Sequence, residues 1–107
     1  MITVGKAIAR ARKDSGISQK ELASRIRKED GSPISPQYLN DIERDRRNPP
    51  SPNLLDQFAR ELGLPYGYLH FLARQLPGDI VSGDYEPERV ESALKAFRRA
   101  LRAGDEQ

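Results

Sequence analysis

Cysteine and tryptophan are absent from the 107 residues, and histidine occurs once. Without cysteine there is neither a disulfide nor a thiolate metal site, so a reducing compartment, the cytoplasm, is the expected location. The one histidine, His70, lies among aromatic and apolar neighbours (Tyr68, Leu69, Phe71), where a packed or surface role is expected rather than a ligand's. No nucleophile sits beside a base, and no glycine-rich phosphate loop or metal-ligand spacing occurs. An enzyme is therefore not expected, nor a cofactor, nor a metal. No apolar run has the length of a membrane span or of a signal-peptide core. Only Met1 to Val4 precede the first helical pattern, which leaves no room for a targeting segment. Alternating Val/Ile/Thr runs, the mark of strands, are also missing.

Charge of one sign is missing overall, because the net charge is only +2. Its distribution is uneven. Residues 1–28 carry eight Lys/Arg against Asp14 and Glu21, a balance of +6, and the remainder carries ten basic and fourteen acidic residues, a balance of −4. Such a polarised chain can turn one basic face to a polyanion while staying nearly neutral as a whole.

What the sequence has in abundance is helix punctuation. Val4, Ala7, Ile8 and Ala11 recur at spacings of three and four, predicting a first helix over Val4 to Asp14 that Gly16 closes. Ser18-Gln19-Lys20-Glu21 is a capping box, in which the serine and the glutamate satisfy each other's free amides, and Leu22, Ala23 and Ile26 form the inner stripe behind it. Lys28 to Ile34 is a polar turn broken by Gly31 and Pro33. Ser35 caps a third helix with Pro36 at its first position, where the missing N–H costs nothing. Only Leu39 and Ile42 are strongly apolar there, so most of this helix is expected at the surface until Asn48-Pro49-Pro50 stops it. Ser51-Pro52 repeats the device for a fourth helix with Leu54, Leu55, Phe58, Ala59 and Leu62 inward. A fifth follows Pro65, with Tyr68, Leu69, Phe71, Leu72 and Leu76 as its apolar set, and Pro77 to Glu86 reads as a loop. A last helix from Pro87 to about Arg102 places Val90, Ala93, Leu94, Phe97 and Leu101 on one face, and Gly104 to Gln107 should fray.

Two short capped helices joined by a turn, the second trailed by arginines, form the layout of a helix-turn-helix, which sets the N-terminal end of one helix against base edges in the DNA major groove. Ala23 supplies the small residue at the crossing. Gln19, beside a capped N-terminus, is placed to donate to a phosphate oxygen, and Lys20 is assigned to the backbone with it. Gln37, Asn40 and Asp41, flanked by Tyr38, occupy the base-reading positions. Gln37 suits adenine, Asp41 the cytosine amino group, and Arg44 either a guanine or the backbone. Arg46, Arg47 and Asn48 follow the helix as backbone contacts, as does Tyr38. Asp41, Glu43 and Asp45 offset the nearby arginines, so the basic first two helices would carry much of the electrostatic anchoring.

Gly5 to Leu64 resembles the Xre, or lambda-repressor/Cro-like, helix-turn-helix family. The resemblance is carried by Arg12, Gly16 to Ala23, Ser35 to Arg44, Arg47-Asn48-Pro49, Leu54-Leu55, Ala59 and Leu62-Gly63. It implies an all-α, five-helix DNA-binding domain over residues 1–76, to which residues 77–107 add a loop and a C-terminal helix. It implies phosphate contact from Gln19 and from the loop around Arg46 and Arg47, base contact from Ser35, Gln37, Asn40 and Asp41, and a structural ion pair between Arg12 and Glu43. One departure is the connection from Arg27 through Pro33, longer than the short turn usual in such proteins.

The stripe Val90, Leu94, Phe97, Leu101 needs a partner surface. It either meets a second copy across a two-fold axis or caps the monomer core, and the dimer is favoured because two half-sites one DNA turn apart suit a two-fold protein. The expected function is a sequence-specific transcription regulator, a repressor acting on double-stranded DNA as a homodimer. The alternative is an antitoxin or other interaction module whose protein partner is a toxin or phage factor.

Overall fold

The computed structural model describes residues 1–103, and among these the secondary structure is helical: α1 Val4–Asp14, α2 Gln19–Arg25, α3 Pro36–Glu43, α4 Pro52–Leu62, α5 Tyr68–Leu72, α6 Gly78–Val81 and α7 Pro87–Ala103. Each of the first four begins at a hydroxyl cap. Thr3, Ser18, Ser35 and Ser51 accept the amides of Lys6, Glu21, Tyr38 and Leu54 respectively. Such a cap contributes about 1 kcal/mol.

The core is one cluster. Ile8 of α1, Leu22 of α2, Leu39 of α3, Leu55 and Phe58 of α4 and Leu69 of α5 are fully buried in it, with Ile26 from the α2 terminus. α1 is central, packing on α3, α4 and α5, while α2 packs on α3. The close approach of α1 to the end of α3 depends on Gly5. A Cβ there would collide with the Ile42 carbonyl and the Asp45 carboxylate.

Several boundaries depart from the sequence-based expectation. α3 ends at Glu43, well before Asn48-Pro49-Pro50. Asp45 adopts a left-handed conformation (φ 58°), Asp45 N–H donates to Ile42 C=O and Arg46 N–H donates to Asp41 C=O. This pair of bonds closes a helix in the way a glycine usually does. Arg74 (φ 61°) ends α5 by the same device, so Leu76 lies outside that helix and is exposed, as is Phe71. The stretch read as a loop from Pro77 to Glu86 contains the single turn α6.

The long α2–α3 connection is a small closed hairpin. Arg27 and Pro33 form an antiparallel bridge, Lys28 N–H donates to Ser32 C=O (2.8 Å), and Ile34 N–H donates to Ile26 C=O (3.0 Å). Ile34 is buried in the core beside Ile26. The buried Gln57 of α4 takes both backbone groups of Arg27, accepting its N–H at 2.7 Å and donating to its C=O at 2.8 Å.

Neither the single turn α6 nor the much longer α7 has a buried residue. Phe97 of α7 meets Phe71 of α5 edge-on at 6.2 Å between ring centres. Val90, Leu94, Phe97 and Leu101 are 39–54% exposed, so the monomer core does not cover the stripe.

Candidate nucleic-acid interface

Helix α3 is two-sided. Leu39, Ile42 and Glu43 are buried. At 100° per residue, Gln37, Asn40, Asp41 and Arg44 fall on the opposite side. Gln37 and Arg44 are exposed, and Asn40 and Asp41 are half-buried. Ser35 stands at the exposed N-terminal tip, where its hydroxyl caps the helix. The residues expected to read bases are thereby brought to one face.

That face is held from behind by an ion pair linking α1 to α3. Arg12 Nε donates to Glu43 Oε2 at 2.7 Å and Arg12 Nη2 donates to Glu43 Oε1 at 2.9 Å, a two-pronged geometry, with side-chain exposures of only 11% and 5%. The remaining prong, Nη1, donates to the Ile17 carbonyl at 2.9 Å and so ties in the α1–α2 turn. The Glu43 hydrogen bonds raise the Arg12 pKa, against an opposing effect of burial. The expected structural pair is thus formed.

Gln19 extends the network. Its Nε2 donates to Glu43 Oε1 (3.0 Å) and to Asn40 Oδ1 (3.2 Å), which couples the first residue of α2 to the exposed face of α3. Further out, Gln37 Nε2 donates to Asp41 Oδ1 at 3.1 Å, one helical turn away. Asp41 also lies 3.7 Å from Arg47 Nε and 3.9 Å from Arg46 Nη1. These two contacts are wet, each arginine being more than half exposed, and contribute little stability. The Arg47 guanidinium sits 5.0 Å from the Tyr38 ring centre, a cation–π distance. Tyr38, Asp41, Arg46, Arg47 and Asn48 line one shallow, open depression that reaches Ser51, the cap of α4. Lys20 is exposed on α2.

The partners of three residues were not foreseen from the sequence. Asp45 receives the Thr3 hydroxyl at 2.9 Å, tying the N-terminus of α1 to the end of α3. Gln57 falls on the polar side of the α4 wheel, beside Leu54, where the helical period predicts exposure, so no sequence signal marked it as buried. His70 is buried, with Nε2 2.7 Å from Asp56 Oδ1, a role within the expected packed class but with a partner that spacing did not suggest. Among the described residues no group of three or more His, Cys, Asp or Glu is arranged to hold a metal ion, and no helix is long and apolar enough to cross a membrane.

Two short packed helices, α2 and α3, the second presenting a polar face and a capped, exposed tip, have the layout of a DNA-binding helix-turn-helix domain. A helix-turn-helix family model matches residues 8–69, more than half of the chain. The chain belongs to that family, the Xre/lambda-repressor-like regulators, which is all-α and binds DNA. No curated protein and no solved structure matches the chain.

Proposed function

We propose that this DNA-binding regulator is a sequence-specific repressor that recognises an inverted-repeat operator as a homodimer, in the cytoplasm. The observation that carries the reading is the face of α3. Its buried side is fixed to α1 by Arg12 and Glu43, and its opposite side offers Gln37, Asn40, Asp41 and Arg44 with Ser35 at the tip. Seated tip-first in a major groove, Gln37 would present its amide to an adenine edge. Asn40, whose oxygen accepts from Gln19, would keep its NH2 for a base acceptor. Arg46, Arg47 and Asn48, on the loop beyond the left-handed Asp45, would grip phosphates together with Lys20.

Repression follows if the bound dimer occupies a promoter. The exposed stripe of α7 supports the dimer, since two half-sites one turn apart, about 34 Å, call for two copies of α3 at that spacing.

Selection of bound duplexes from a random pool tests the reading. An enriched inverted repeat with half-sites one helical turn apart is expected. The Gln37→Ala variant should lose preference at one position, by roughly 1–3 kcal/mol. A pool that shows no enrichment, or a Gln37→Ala variant with unaltered preference, would overturn it.

A further inference from the structure

We propose that α7 pairs antiparallel with α7 of a second copy, in one register that its own charges select. The proposal rests on the dimer reading above and specifies its geometry. Val90, Leu94, Phe97 and Leu101 follow spacings of four, three and four, the repeat of a two-helix seam, and all four are exposed.

Charge decides the direction. Residues 87–94 carry Glu88, Arg89 and Glu91, a balance of −1, whereas residues 95–103 carry Lys95, Arg98, Arg99 and Arg102, a balance of +4. A parallel pair would stack the two basic halves on each other. An antiparallel pair sets each basic half beside the less basic, acid-bearing half of its partner.

The register then follows from the repeat. Val90 lies opposite the second copy's Leu101, and Leu94 opposite the second copy's Phe97. On one flank of these layers Glu91 meets the second copy's Arg98, and the two-fold axis repeats the pair. On the other flank stand Ala93 and Ala100, small enough to let the helices approach closely. Phe71, in contact with Phe97, continues the apolar surface from α7 onto α5. The seam from Val90 to Leu101 thereby runs along about 16.5 Å, roughly three turns, of α7 at 1.5 Å per residue.

The absence of native cysteine makes the test direct. Full-length Val90→Cys/Leu101→Cys protein treated with a short bifunctional thiol reagent should give a covalent dimer. Val90→Cys alone should not, because two copies of position 90 would lie about 16.5 Å apart along an antiparallel pair. Glu91→Arg should raise the dimer dissociation constant by about tenfold or more, by setting like charges beside each other at two places. Glu91→Arg/Arg98→Glu, which exchanges the partners, should restore it. A dimer in which Val90→Cys alone cross-links would overturn the antiparallel pairing and leave the two-fold DNA reading standing. A wild-type chain that sediments as a monomer at micromolar concentration would overturn both.

Discussion

Removing the Arg12 side chain is expected to be among the most damaging single changes available in this chain. Arg12→Ala deletes both prongs to Glu43 and the bond to the Ile17 carbonyl in one step. Glu43, its side chain 5% exposed, keeps only the Gln19 amide against its charge. Breaking a buried pair by deleting one partner costs ~3–5 kcal/mol, because the survivor is a nearly dry, uncompensated ion. A domain of this size is stable by roughly 5–15 kcal/mol in total, so the variant stands close to unfolding at ordinary temperature. With about 4–8 °C lost per kcal/mol, a cost of ~3 kcal/mol lowers the midpoint by roughly 12–24 °C. Urea titration read by circular dichroism measures the loss directly. The companion variant Arg12→Met/Glu43→Leu removes both charges and should cost less than Arg12→Ala alone. The Arg12 pKa is raised on folding, so its stabilising effect is present throughout the pH range below the ordinary arginine value and is lost only in strong alkali. The Arg12→Ala deficit should therefore not track arginine titration anywhere near neutrality. A cost below about 1 kcal/mol, or a double variant as damaged as the sum of the two single ones, would refute this account of the pair.

Asp41→Asn removes a negative charge that lies within 4 Å of both Arg46 and Arg47, and electrophoretic titration on random-sequence duplex should show binding tightened by roughly threefold, the order of one phosphate contact. Gln57→Leu leaves both backbone groups of Arg27 without their partner and should cost ~1–3 kcal/mol in denaturant unfolding, with faster amide exchange at Arg27. The Ser32 hydroxyl, and then its amide, hold the Asp30 carboxyl below its usual value, so the hairpin gains stability above the ordinary carboxyl range and loses it as pH falls through the lowered value. The Ser32 amide resonance should accordingly move below about pH 4, and should stay still in Asp30→Asn.

How much of this was legible beforehand differs from element to element. α1 was readable to its ends because Val4, Ala7, Ile8 and Ala11 repeat without interruption and a glycine closes the helix. The starts of α2, α3 and α4 were readable for a related reason, each being a serine ahead of its apolar stripe. The end of α3 was not. Its closure uses Asp45 in a backbone region that side chains seldom occupy, made tolerable by the Thr3 bond from a residue 42 positions away. The polar face of α3 could be drawn from the period alone. The Arg12–Glu43 pair could not, since nothing in the spacing of residues 31 apart places them together, and it came only with the family resemblance. Gln57 illustrates a general blind spot. A glutamine on the polar half of a helical wheel reads as solvent-facing until the strand-like backbone that it satisfies is seen.

Because Gln57 clasps Arg27 at the base of the hairpin, the tip from Glu29 to Gly31 is anchored on α4 before the chain enters α3. Length or bulk added there is separated from Ser35 by the Arg27–Pro33 bridge and the buried Ile34. The tip is therefore a natural mooring point for a fluorophore, an epitope or a fused domain, set apart from the polar face of α3.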